Sequence, residues 1–119
     1  MGLFRRSKNT KLPVIRQILD LIPHWLLQSC IQKYESDKYT HKYKTYIQLV
    51  ALSFGQLNKC ESLSGISSGI GINEKFIEDL KLAQSPARST MSDGNKKRDW
   101  RVFEYLYQRL LSHYQTVLK

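Results

Sequence analysis

The sequence has few cysteines, few acidic residues and no long apolar run. Its two cysteines, Cys30 and Cys60, form no Cys-x-x-Cys pair, which argues against a zinc site and favours reduced thiols in a cytoplasmic protein. The apolar runs, such as Leu49 to Leu52, are far shorter than the roughly 20 residues that cross a bilayer. The opening Met-Gly-Leu-Phe-Arg-Arg lacks the apolar segment of a secretory signal. We therefore expect a cytoplasmic protein with no membrane partner, no metal and no other cofactor.

The shortage of acidic residues leaves the chain strongly basic. It holds 10 Asp and Glu against 19 Lys and Arg, for a net charge of +9 over 119 residues. Such an excess favours an anionic partner, most commonly DNA or RNA, although ribosomal contact, a membrane surface or plain solubility produces the same balance. Residues 1–60 carry most of the excess, with 10 basic and 3 acidic side chains. At this length the chain is long enough for one domain with one core.

Helical spacing of apolar residues dominates the sequence. No segment alternates apolar and polar residues as a half-buried strand does, so the sequence predicts an all-α fold. Residues 1–11 predict a flexible basic arm that either reaches DNA or is a frayed terminus, and residues 12–119 predict a single helical domain. The predicted helices are residues 12–21, 23–33, 46–58, 62–70, 73–82, 89–98 and 99–118.

Apolar spacing also predicts which faces are buried. The helix at 46–58 is the most apolar and should be central, with Thr45 as its N-cap. The helix at 62–70, capped by Ser62 and ended by Gly69 and Gly71, has a face of small residues that lets either a packed helix or DNA approach closely. The other residues predicted to point inward are Trp25, Leu26, Cys30 and Ile31 in the second helix, and Trp100, Phe103, Tyr107, Leu110, Leu111, Tyr114 and Val117 in the last.

Tyrosine and lysine are concentrated in residues 34–46. Basic residues interleaved with aromatics grip a backbone and stack on bases in single-strand binders, which would suit a small RNA-binding regulator. A solvated connection whose tyrosines cover the edge of the core has the same composition. Composition alone leaves both interpretations open.

The segment from Ser85 to Arg101 combines a helix start with residue types that bind nucleic acid. Ser89 or Thr90 is the predicted N-cap, which places Asp93 in the first turn and Met91 inward. Arginine and asparagine read guanine and adenine, whereas lysine, serine and backbone N–H groups bind phosphate. A basic surface turn without function has the same composition. The candidate DNA-binding residues are the readers Arg88 and Asn95, the phosphate contacts Lys96, Lys97, Arg98 and Arg101, and the polar residues Ser89, Thr90 and Ser92.

Four ordered motifs resemble a known family. Residues 86–103 resemble the "(S/P)-x-R-S-x-x-x-x-A-N-x-x-R-D-W-x-x-F" signature near the amino terminus of DDE transposases of the IS-four-like group of bacterial insertion sequences. Residues 18–23 resemble the "LL-x-x-I-P" motif of that group, and residues 34–44 resemble its "K-Y-x-x-D-K-Y-x-K-x-F" motif. Residues 54–63 resemble its "F-G-Q-L-x-x-x-x-S-L" motif. The resemblance spans about residues 12 to 107. Gly94 departs from the pattern, because the family usually has alanine there and glycine costs about 1 kcal/mol of helix propensity.

The resemblance implies a DNA-binding region that precedes an RNase-H-like catalytic domain. In such enzymes this region binds the inverted-repeat ends of the mobile element, and the separate catalytic domain holds two metals on a DDE triad. The five aspartates and five glutamates here are scattered, so we expect no catalysis by this chain alone. We expect sequence-specific binding of double-stranded DNA at the bacterial nucleoid. Residues 46–58, 62–70 and 89–98 would form an elaborated helix-turn-helix-like arrangement. The alternative is a module for homodimerisation or synapsis that uses the last helix.

Overall fold

The computed structural model describes residues 12–118, with side chains described as far as Thr116. The predicted basic arm at residues 1–11 lies outside the described residues. Within the described part, the chain is all-α, as predicted, and has no strand. It forms α1 Val14–Leu19, α2 His24–Tyr34, α3 Thr45–Leu57, α4 Leu63–Ile70, α5 Glu74–Asp79, α6 Arg88–Lys97 and α7 Arg101–Leu118.

Helix α3 lies at the centre of the fold, as its apolar sequence predicts. One group of buried side chains joins α3 to α1, α4 and α6, and a second group joins α2 to α7. Tyr46 and Leu49 of α3 pack against both groups. Helices α3, α4 and α6 contact one another, as an elaborated helix-turn-helix-like arrangement requires. The fully buried residues of α3 are Thr45 and Val50.

The predicted N-cap is confirmed at α4 and wrong at α3. Ser62 caps α4, since its Oγ accepts a hydrogen bond from the backbone N–H of Gly65 at 3.0 Å. Thr45 is instead the first residue inside α3. Its N–H and Oγ1 both donate to Oδ1 of Asp37, at 2.6 and 2.7 Å. A carboxylate from the preceding loop therefore caps the central helix, and this long-range contact has no signal in local helix-start rules.

The face of α7 that the sequence predicts to be buried is only partly correct. Phe103 and Leu110 pack against the buried group of α2 and α7 as predicted, but the most buried residues of the helix lie outside the predicted set. Val102 and Leu106, one turn apart, are 1% and 4% exposed and pack against α2. Trp100 and Tyr107 are 67% and 63% exposed. The helix carries apolar residues on more than one stripe, and α2 covers only one of them. Trp25 of α2 also lies outside the core, at 56% exposure.

Gly69 continues α4 instead of ending it. The helix runs on to Ile70, and Gly71 follows as its C-cap without a left-handed backbone. A Cβ at position 69 would lie 2.5 Å from Cε2 of Phe54, far inside contact distance. Glycine is therefore needed here because the aromatic ring of α3 lies directly on the backbone of α4.

Residues 12–118 show three further features. None of their helices combines the length and apolarity needed to span a membrane. No three His, Cys, Asp or Glu side chains in this part come together as metal ligands would. Cys30 is buried between α2 and α7, and burial raises the pKa of its thiol.

Candidate nucleic-acid interface

Helix α6 is held against α3 and α4 by one buried side chain. Met91 is 1% exposed, which confirms its predicted inward position. The helix begins at Arg88 with Ala87 as N-cap, so neither Ser89 nor Thr90 caps it. The predicted N-cap is wrong, since the observed N-cap lies two residues before Ser89 and three before Thr90. The first N–H groups of α6 therefore have no capping side chain.

The entry into α6 is fixed to α4. The hydroxyl of Ser85 donates to the backbone oxygen of Ser67 at 2.7 Å, and Pro86 is buried. Part of the small-residue face of α4 is therefore covered by this chain, while Ser64 and Ser68 stay exposed. The start of α6 consequently has a defined position on the rest of the domain.

Four of the predicted DNA-binding residues lie along one ridge of α6. Arg88, Ser92, Asn95 and Lys96 follow i, i+4, i+7, i+8 spacing, which places them on neighbouring turns of one side. Arg88, Asn95 and Lys96 are exposed, and Ser92 is half-buried. Ser89 is exposed and Thr90 half-buried in the first turn of the helix. The ridge therefore combines two cations with two polar side chains, and the uncapped helix start lies beside it.

Lys97 and Arg101 are exposed but ion-paired. Nζ of Lys97 lies 3.1 Å from Oδ2 of Asp93, which is in the second turn of α6 and not in the first as predicted. Nη2 of Arg101 lies 2.9 Å from Oδ2 of Asp99. The hydrogen bond from Arg101 lowers the pKa of Asp99, and Asp99 Oδ1 also accepts the Arg101 N–H at 3.0 Å at the start of α7. Exposed ion pairs of this kind are weak, so a phosphate would compete with the carboxylate for each cation.

Arg98 occupies an interior position that does not suit the predicted phosphate contact. Its side chain is only 5% exposed. The guanidinium donates to Oε1 of Gln48 at 2.6 Å, to the backbone oxygen of Ser36 at 3.1 Å and to the backbone oxygen of Tyr43. Asp37 lies 3.7 Å away. Burial lowers the pKa of Arg98, and Asp37 and Tyr43 oppose that shift. Arg98 thus joins the 35–44 loop to α3 and to the end of α6.

The same hydrogen bonds extend to Asn95. Nε2 of Gln48 donates to Oδ1 of Asn95 at 2.9 Å, and Gln48 is 5% exposed. Arg98, Gln48 and Asn95 therefore form a continuous chain from the interior to the surface of α6. The sequence pattern did not identify Gln48 or Asp37 as candidate functional residues. The available signal was a glutamine among the apolar residues of the central helix, because a buried polar side chain needs a partner.

Gly94 does not interrupt α6. The helix is continuous through this residue, and the ring of Tyr43 packs onto its backbone, where a Cβ would overlap the ring carbons. Burial raises the pKa of the Tyr43 hydroxyl to about 12. The departure from alanine at this position is therefore matched by a tyrosine that occupies the space of the missing methyl group.

A groove separates α6 from the 35–44 loop and brings together the two segments that the sequence singled out. It has a volume of about 840 Å³, and its lining includes Lys38, Lys42 and Lys97 with the exposed ring of Tyr39. Its four basic residues face three acidic ones. The near balance of charge makes the groove a weaker attractor of phosphate than the ridge of α6.

Cations and aromatic rings alternate along the seam between α2 and α7. Arg101 lies over the ring of Tyr34, Lys33 over those of Tyr34 and Tyr105, and Arg109 over those of Tyr105 and Trp25. The distances from cation to ring centroid are 5.1 to 6.0 Å. Such contacts hold the charges in place on the surface. This cation row joins the groove at Tyr34, which lines both.

The fold is a small all-α domain with a basic ridge on α6. The family model described as "Domain of unknown function (DUF4372)" matches residues 10–78, more than half of the chain, and the chain therefore belongs to this family. The domain is found in transposase-like proteins. No curated protein and no solved structure matches the chain. The matched residues cover α1 to α4 and all of α5 except Asp79, and α6 and α7 lie after them in the chain.

Proposed function

We propose that this chain binds double-stranded DNA in a sequence-specific way, as the non-catalytic N-terminal domain of an IS-four-like DDE transposase. Its sites would be the inverted-repeat ends of the mobile element, and its partner in the full-length protein a DDE catalytic domain. The family match supports a relation to transposase-like proteins. The resemblance of residues 86–103 to the transposase signature supports the finer assignment.

The observation that carries this proposal is the exposed ridge of α6. This short helix is anchored by the buried Met91 and presents Arg88, Asn95 and Lys96 at the surface. These are residue types that read bases and bind phosphates. The uncapped N–H groups at its start add phosphate donors. The net charge of +9 attracts the backbone of any duplex.

The test is a comparison of binding to duplexes that carry the element's end with binding to random duplexes. We expect Arg88→Ala and Asn95→Ala to weaken binding to the end sequence by about tenfold or more, and to change binding to random DNA far less. Lys97→Ala should weaken both by similar factors, because phosphate contacts carry no sequence information. Equal losses on both duplexes for Arg88→Ala and Asn95→Ala would contradict base reading by α6.

A matched control lies on α5. Lys75 is 77% exposed and pairs with Asp79 four residues on, just as Lys97 is 76% exposed and pairs with Asp93. Lys75→Ala removes the same charge and the same kind of ion pair from a helix outside the proposed interface. Affinity that falls as much for Lys75→Ala as for Lys97→Ala would assign the effect to net charge and not to α6.

A second candidate function is homodimerisation or synapsis through α7. Trp100, just before α7, and Tyr107 and Leu111 on the helix are 67%, 63% and 46% exposed and form an uncovered apolar stripe. Large contiguous exposed apolar patches mark sites of protein contact. Light scattering over a range of concentrations, with and without DNA, separates the two functions. A stable dimer that retards no duplex would favour this candidate over the first.

The variant for this candidate is Leu111→Glu, and Leu57→Glu is its control. Leu57 of α3 is 48% exposed, close to the value for Leu111. If α7 mediates self-association, Leu111→Glu gives a monomer at concentrations where the unaltered chain and Leu57→Glu remain dimeric. A dimer that survives Leu111→Glu would exclude this stripe as the contact.

A further inference from the structure

The orientation of the Asn95 amide follows from its partners. An amide carries a donor and an acceptor of nearly equal size, so only a neighbour of known polarity decides which way it points. Arg98 is such a neighbour, because a guanidinium donates hydrogen bonds and accepts none. Its own position is set by hydrogen bonds to the backbone oxygens of Ser36 and Tyr43.

The polarity passes outward in two steps. Arg98 donates to Gln48, which must therefore present Oε1 inward at 2.6 Å and Nε2 outward. Nε2 of Gln48 in turn donates to Asn95 at 2.9 Å, which turns Oδ1 of Asn95 towards the interior. The two N–H groups on Nδ2 of Asn95 are left for the surface. Gln48 is buried, and loss of its contact would leave an N–H group of Arg98 without an acceptor.

We propose that Gln48 is a positioning residue that fixes Asn95 as a hydrogen-bond donor, so that position 95 reads an acceptor on DNA. This inference rests on the proposed function. Bidentate reading of adenine needs Oδ1 and Nδ2 of asparagine side by side at the base edge. A side chain that presents Nδ2 alone matches an edge with acceptors, and guanine offers O6 and N7 together. Position 95 therefore selects guanine over adenine, in contrast to the preference of a free asparagine.

Two substitutions reverse the polarity without changing side-chain size. In Gln48→Glu the carboxylate accepts from Arg98 and from Nδ2 of Asn95, which turns Oδ1 of Asn95 outward. In Asn95→Asp the outward atom is an acceptor, because both side-chain atoms of the carboxylate are oxygens. Both variants should move the preferred base at one position of the site from guanine to cytosine or adenine, which present an amino donor. Gln48→Met is the control, since it removes both hydrogen bonds and frees Asn95 to rotate.

The first measurement needs no DNA. In nitrogen-15 spectra of the full chain, the side-chain NH₂ of Gln48 should exchange with water about tenfold more slowly than that of Asn95. In Gln48→Glu the NH₂ of Asn95 should become the protected one. Protection of the Asn95 NH₂ in the unaltered chain would overturn the assigned polarity, whatever the chain binds.

The second measurement is selection of bound duplexes from a pool with a randomised segment. We expect the unaltered chain to enrich a guanine at one position, Gln48→Glu and Asn95→Asp to replace it, and Gln48→Met to lose the preference by about tenfold without a new base. The same base in Gln48→Glu and the unaltered chain overturns the proposal. Loss of affinity without any change of base shows that Asn95 contacts phosphate, which also overturns it. A pool without enrichment for the unaltered chain contradicts the proposed function itself, and the exchange measurement still stands.

Discussion

Arg98 shows how one residue can belong to a DNA-binding segment by composition and to the interior by position. Its guanidinium connects the 35–44 loop, α3 and the end of α6 through Gln48, Ser36 and Tyr43. Asp37 balances its charge and caps α3 at the same time. The motif that resembles the transposase signature contains the pair Arg98-Asp99, and the arginine of this pair therefore stabilises the fold.

We expect Arg98→Ala to lower the free energy of unfolding by about 2 to 4 kcal/mol, because it leaves buried acceptors and Asp37 without their donor. Lys96→Ala, an exposed change on the same helix, should alter it by less than about 0.5 kcal/mol. Urea denaturation followed by circular dichroism measures both. If the Arg98→Ala protein is as stable as the Lys96→Ala protein, Arg98 has no structural role and is again a candidate surface contact to phosphate.

Gly94 and Tyr43 form a pair whose energies depend on each other. Alanine at position 94 gains about 1 kcal/mol of helix propensity, but its methyl group overlaps the Tyr43 ring, and overpacking costs about 1 to 3 kcal/mol. Gly94→Ala should therefore destabilise the unaltered chain and stabilise the Tyr43→Ala variant. A double-mutant cycle by thermal unfolding measures the difference. The same effect of Gly94→Ala in both backgrounds would show that the ring does not occupy this space.

Helix existence was predictable from the sequence because it depends on local spacing. All seven helices within residues 12–118 overlap predicted ones, six of them predicted from apolar spacing and α6 from its helix-start residues, and Ser62 caps α4 as expected. The buried stripe of α7 was not predictable in this way, because it depends on where α2 lies. The cap of α3 by Asp37 and the Gln48 contact with Asn95 join residues far apart in the chain, so local rules do not find them.

The observed register of α7 makes a prediction that differs from the apolar pattern alone. Leu106 is 4% exposed against α2, whereas Leu111 is 46% exposed. Leu106→Ala should destabilise the chain by about 2 to 5 kcal/mol through the cavity it leaves. Leu111→Ala should have an effect within about 0.5 kcal/mol in the monomer. Chemical denaturation at low protein concentration measures both, and a larger loss for Leu111→Ala would mean that α7 is rotated relative to α2.

At the scale of the whole molecule, charge is distributed over several surfaces that act in different ways. The α6 ridge carries Arg88 and Lys96 without an ion pair among the described residues. The groove beside it holds nearly equal numbers of basic and acidic residues. The cation row along α2 and α7 adds Lys33 and Arg109 on a neighbouring surface. A duplex bound at the ridge, as proposed, would therefore meet local contacts within a wider attractive field.

Salt dependence separates the local contacts from the field. Each phosphate neutralised on a duplex contributes about −0.9 to the slope of log affinity against log salt. Lys96→Ala should therefore reduce the magnitude of that slope by about one, and Arg109→Gln should do so only if the duplex extends from the ridge to the cation row. Lys75→Ala, on α5, should leave the slope unchanged while altering net charge equally. Fluorescence anisotropy at several salt concentrations measures all three. If the three slopes change equally, long-range attraction accounts for binding and α6 has no special role in it.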